Sequence, residues 1–191
     1  STNTMSEKDY LNCRNYSFIV RLLSSQVFSP IYKMLTKLNI SWYDFSIKVS
    51  ETIIRDDFNG KLKDLFNDFC RESQDELFNS KDELIKFYSK NENYKKLKKG
   101  LIGENLLAKY SAKSLMVLDE IFNTIYSVLS LHFKNKFDSR SLTIIQSSEK
   151  WIKNLYMIDE ILNVRENFNN NLNINIDFDF PSWLCNADDD F

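Results

Sequence analysis

Residues 172–180 read Leu-Asn-Ile-Asn-Ile-Asp-Phe-Asp-Phe, apolar side chains alternating with Asn or Asp until Pro181 ends the run. A period of two marks a half-buried β-strand. It places Leu172, Ile174, Ile176, Phe178 and Phe180 on one face. A strand needs a neighbour for its backbone N–H and C=O groups, and no second alternating run stands out in the chain. An isolated strand is marginal without partners, while burying a side chain of this class is worth roughly 1.5–3 kcal/mol. The face is therefore expected to pack on the chain's own helices or to serve as a docking edge for another protein. Trp183 and Leu184, just past Pro181, would extend either contact.

Almost everything before this segment has helical spacing. Thr4-Met-Ser-Glu7 has the form of a capping box and opens a predicted helix to about Ser24 with Leu11, Phe18 and Leu22 on one stripe. Ser29-Pro30 predicts an N-cap followed by proline at the first helical position. Ser41 caps a third helix carrying Phe45, Val49 and Ile53, which Asn59-Gly60 ends. A fourth runs from about Lys61 to Arg71, and Ser80-Lys-Asp-Glu83 heads a short one to Tyr88. The longest spans about 104–133, and Asp138 or Ser139 caps the last, about 140–164. The fold class is mainly α: an irregular array of about seven helices with one short C-terminal strand. It reads as one domain, divisible into lobes 1–94 and 104–191 around a basic hinge at 95–103.

With 43% apolar residues, including fifteen Phe, nine Tyr and three Trp, the 191 residues can build a sizeable core. Three Gly and two Pro disfavour an all-β fold full of tight turns. A net charge of −2 gives no global case for nucleic acid or an anionic membrane, and neither is expected as a partner. The apolar window 115–133 is interrupted by Asp119, Glu120 and Asn123, so it reads as a core helix. Cys13, Cys70 and Cys185 form no CxxC pair, which supports neither a disulfide framework nor a zinc ribbon. A reducing cytoplasm is the expected setting.

No motif assembles a catalytic site. Placing Gly60 at the sixth position of a calcium loop puts Arg55 at the first and Phe66 at the twelfth, where carboxylates are required; the segment reads as a turn. His132 is the sole histidine and sits at a helix end, where a cation suits the helix dipole. The Lys95-Lys-Leu-Lys-Lys99 run reads as a solvated segment, with phosphate contact as the alternative. Asp188-Asp-Asp190 reads as a solubilising tail. No glycine-rich phosphate loop, GxSxG or HExxH occurs.

Two segments resemble a known family. Thr2-Asn-Thr-Met-Ser-Glu-Lys-Asp-Tyr10, with Arg14 and the apolar helix to Leu23, resembles the segment after the catalytic barrel of cobalamin-binding radical S-adenosylmethionine (SAM) proteins. Ile176-Asp-Phe-Asp-Phe-Pro-Ser-Trp-Leu184 resembles the ending of the same proteins, and Gly103-Glu-Asn-Leu-Leu-Ala-Lys-Tyr110 fits more loosely. The resemblance implies a C-terminal helical domain of a larger parent. That parent would hold cobalamin, S-adenosylmethionine and a [4Fe–4S] cluster bound by a CxxxCxxC motif. The three cysteines here, 57 and 115 residues apart, do not form that motif, so no catalytic, cofactor-binding or metal-binding residue carries over. The expected role is a non-catalytic accessory domain that packs on the parent's barrel and shapes substrate access or recruits a substrate or partner. The alternative is a free-standing helical interaction module, with a homodimer through residues 172–180 as one form.

Overall fold

Short polar side chains set most of the helix starts. A computed structural model describes residues 5–156, 176 and 178–185. In α1 (Glu7–Leu23) the capping box forms between Ser6 and Asp9, with the Ser6 hydroxyl accepting from the Asp9 N–H at 3.1 Å. The box thus lies two residues later than Thr4–Glu7 predicts, because Asp9 stands at the third helical position and can reach back to the Ser6 N–H. A 3-10 turn, Gln26–Phe28, leads into α2 (Ser29–Lys37). Ser29 is not the cap: it is already helical, and its hydroxyl donates backwards to the Gln26 carbonyl at 2.9 Å.

Ser41 caps α3 (Trp42–Ile54) and Gly60 precedes α4 (Lys61–Asp75), which runs about a turn beyond its predicted end at Arg71. Ser80 caps α5 (Lys81–Tyr88) at 3.1 Å. A further helix, α6 (Asn91–Lys98), takes in the first four residues of the segment expected as a hinge. The long predicted helix is two: α7 (Leu106–Ser114) and α8 (Leu118–His132), joined by a 3-10 turn at Leu115–Val117. The tighter winding of that turn lets Tyr110 on α7 and Leu118 on α8 both reach the core and leaves Met116 exposed. Asp138 caps α9 (Ser139–Leu155), accepting from the Ser141 N–H at 2.8 Å. The short helix α10 (Phe180–Cys185) follows.

Helix α8 lies against α3, α4 and α9, and α1 lies against α3, α4 and α7. Helix α2 packs on α3, α9 and α10. Residues from both sides of segment 95–103 share one core. The run Leu106–His132 is long and apolar enough to cross a membrane by length and composition, with a mean hydropathy of 1.2, yet half of its most apolar window is buried inside the protein.

An aromatic group joins α1, α4 and α7. The Phe18 and Phe69 rings stack at 4.5 Å, and Tyr110 meets both edge-on, 6.1 and 5.4 Å away. The Tyr110 hydroxyl donates to Glu72 Oε1 and Lys109 Nζ to Glu72 Oε2, each at 2.9 Å. Burial disfavours the charged carboxylate of Glu72. The hydrogen bonds from Lys109 and Tyr110, with the Lys109 charge, outweigh that and hold its pKa below the usual range. Burial and the same carboxylate push the Tyr110 phenol well above its ordinary value. Arg14 on α1 reaches Glu76 at 2.5 Å, tying α1 to α4.

The predicted C-terminal strand is not seen among the described residues. Leu172 and Ile174 lie outside them. The alternation stops early because Asp179 begins a helix. Its carboxylate accepts from the Ser182 N–H at 3.1 Å, its carbonyl accepts from the Trp183 N–H at 3.0 Å, and Pro181 sits in the first turn. Phe180 is therefore a helical residue.

Candidate interaction surface

The expected docking residues that can be described have turned inward. Phe180 is fully buried and Trp183 nearly so, while Ile176 and Phe178 pack against the core edge. The Phe180 ring stacks on Trp151 of α9 at 5.2 Å, and Phe178 and Trp183 meet edge-on at 5.1 Å. Lys33 of α2 places its ammonium over the Trp183 ring, 5.0 Å from the centroid, and donates to the Trp183 carbonyl. These aromatics hold α10 to α2 and α9.

The structure brings His132 and the Asp57–Gly60 turn together around a groove of about 480 Å³, a proximity that spacing does not reveal. The turn is braced by cross-helix caps. Lys63 Nζ donates to the carbonyls of Ile53, Ile54 and Arg55 at 2.8–3.0 Å, closing the end of α3. Glu120 of α8 accepts from the Lys61 and Leu62 N–H groups at 3.1 and 2.7 Å, closing the start of α4. Gly60 has φ +107°, and a Cβ there would lie 2.7 Å from Glu120 Oε2. The helix ends on both sides of the turn are thus capped. Glu120→Ala is expected to cost about 1–2 kcal/mol, as the loss of a helix cap does. Gly60→Ala is expected to cost about 1–3 kcal/mol through backbone strain and the clash. In the double variant the clash is gone, so chemical denaturation should give a summed cost below that of the two single changes. Strict additivity would show that the two residues do not interact.

Cys70 is half-buried, and burial pushes its thiol up to about 11, which keeps it protonated and unreactive near neutrality. Cys13 and Cys185 are exposed, on α1 and α10. Among the described residues no group of three His, Cys, Asp or Glu side chains is arranged to hold a metal ion.

The surface that stands apart is the α5–α6 hairpin. Among the described helices, only α5 and α6 bury no residue. Asn93 donates to the Phe87 carbonyl at 2.9 Å and fastens the turn between them. Phe87 and Tyr88 anchor the hairpin to Phe78, with ring separations of 5.3 and 6.1 Å. Gly103, with φ +71°, lets the following chain pass close to Leu97. Leu84, Ile85, Tyr94, Leu97 and Leu101 remain exposed, Ile85 and Tyr94 at 50% and Leu101 at 61%. Leu84, Ile85 and Tyr94 line one open groove, and Leu101 lines a second one beside Phe78 and Phe87.

The chain matches no protein-family model, no curated protein and no solved structure. The hairpin's geometry and chemistry therefore carry the functional reading. Periodicity contained part of the signal: Tyr94, Leu97 and Leu101 are spaced by three and four, the mark of a helix face. The four lysines between Tyr94 and Leu101 and the lack of a side-chain cap at Lys90 hid it.

Proposed function

We propose that this chain is a helical interaction module and that the α5–α6 hairpin is its binding element. The observation that carries this reading is the pair of amphipathic helices whose apolar side chains contribute nothing to the core. Burying Leu84, Ile85, Tyr94 and Leu97 against a partner would supply the driving force that they do not give to folding. The test is site-specific photocrosslinking in the cells that produce the protein, with the photoreactive residue at 85, at 97 or at the exposed control position 140. One discrete adduct is expected from 85 and 97 alone, and it should disappear with Leu84→Glu while the melting temperature stays unchanged. Equal labelling from all three positions, or no adduct from any, would overturn the proposal.

The resemblance of residues 2–10 and 176–184 to cobalamin-binding radical SAM proteins supports a narrower form. There the partner is the catalytic barrel of such an enzyme and this chain is its accessory domain. Sequencing the adjoining gene region tests it: a CxxxCxxC barrel in the same or a neighbouring reading frame is expected, and its absence would remove the narrower form alone.

A further inference from the structure

Net charge conceals a strong local imbalance. Residues 81–101 carry seven lysines against Asp82, Glu83 and Glu92, a balance of +4 within a chain of −2. Of the three acids, Glu83 accepts from the Asn79 N–H at 2.9 Å and Glu92 pairs with Lys96 at 2.6 Å. The same hairpin holds an open groove of about 600 Å³ lined by Leu84, Ile85, Tyr88, Ser89, Asn91 and Tyr94. Lys98 stands at its rim, with its ammonium 5.4 Å from the Tyr94 ring centroid. Lys81 precedes Ile85 by four residues and so shares its face of α5.

From this arrangement we infer that the groove takes an acidic amphipathic helix of a partner protein, which inserts aromatic or aliphatic side chains between α5 and α6. The inference rests on the hairpin being the binding element. The shape suits a helix laid in a groove, with side chains three and four apart entering it. The lysines on both sides attract carboxylates along the flanks of such a helix and speed its encounter. Two polar residues, Ser89 at the end of α5 and Asn91 at the start of α6, also line the groove. A peptide can hydrogen-bond to them, whereas acyl chains would leave them unsatisfied. These two polar side chains favour a helix over a bilayer surface.

The test uses the full chain and a fluorescein-labelled 18-residue helical peptide with Leu and Phe at positions spaced three and four apart and Glu elsewhere. Two comparators carry Lys in place of Glu, or Ser in place of Leu and Phe. Fluorescence anisotropy should show saturable binding of the acidic peptide, at least about tenfold tighter than either comparator, and binding that weakens as salt rises. Lys81→Glu with Lys98→Glu should weaken the acidic peptide about tenfold and strengthen the lysine peptide. That exchange of preference cannot arise from unfolding. Equal binding of acidic and basic peptides, or none of the acidic one at low salt, overturns the inference. So does preferential binding to vesicles of four parts phosphatidylcholine to one of phosphatidylserine, which would assign the hairpin to a membrane. A dimer in sedimentation that is lost on Ile85→Glu would likewise assign the groove to a second copy of the chain. If the crosslinks at 85 and 97 form and the acidic peptide fails to bind, the interaction module stands and only its partner chemistry is wrong.

Discussion

Phe69→Ala is expected to lower the free energy of unfolding by about 3–5 kcal/mol, the range for removing a large aromatic side chain from a packed core. Phe69 is fully buried, stacked on Phe18 and met edge-on by Tyr110. Its loss would leave a cavity where α1, α4 and α7 meet. Arg14–Glu76 and Glu72–Lys109 link the same elements beside it. Urea denaturation of wild type, Phe69→Ala, Phe18→Ala and the double variant would measure both the cost and the coupling. The double variant should lose less than the two single losses combined, since the two rings stack on each other. A loss below about 1 kcal/mol for Phe69→Ala would contradict the central place given to this cluster, because buried aromatic truncations rarely cost so little.

Phe180→Ala is expected to cost about 3–4 kcal/mol by the same mechanism, although it lies near the end of the sequence. The ring is fully buried against Trp151, Phe178 and Trp183. Two of the three tryptophans therefore report on its environment. Together with the stability loss, the tryptophan emission of the folded variant should shift to longer wavelength as water reaches Trp151 and Trp183. Unchanged emission and stability would mean that α10 is not held to α2 and α9 in solution. The contrast with Ile85→Glu is sharp: that side chain is half exposed and supports nothing beneath it.

Much of the helical plan is legible residue by residue. Ser41, Ser80 and Asp138 cap helices where their positions predict, and Phe45, Val49 and Ile53 are buried as their spacing of four requires. The departures have local causes. The break between α7 and α8 is hidden because Leu115-Met-Val-Leu118 is apolar throughout and offers no proline or glycine as a stop. At the C-terminus a period-two pattern overlaps a helix cap, and Asp179 with Pro181 decides the conformation of Phe180. The α3–α4 turn depends on Glu120, about sixty residues away in the chain, so no local pattern could show its bracing. The hairpin's apolar face was open to reading, but its exposure was not. Whether a stripe is covered depends on what packs against it, and the helix propensities of α5 and α6 carry no information on that.

Because α5 and α6 contribute no buried side chain, the positions that would determine partner choice are separate from those that determine folding. On the proposed reading, substitutions at Leu84, Ile85, Tyr94 or Leu97 would alter what the hairpin binds without drawing on the stability held by Phe18, Phe69 and Phe180. Such a division leaves the recognition surface free to diverge quickly between related chains while the scaffold beneath it stays constant. Among relatives, variation concentrated in residues 81–101 over an unchanged aromatic core would be the evolutionary trace of that independence.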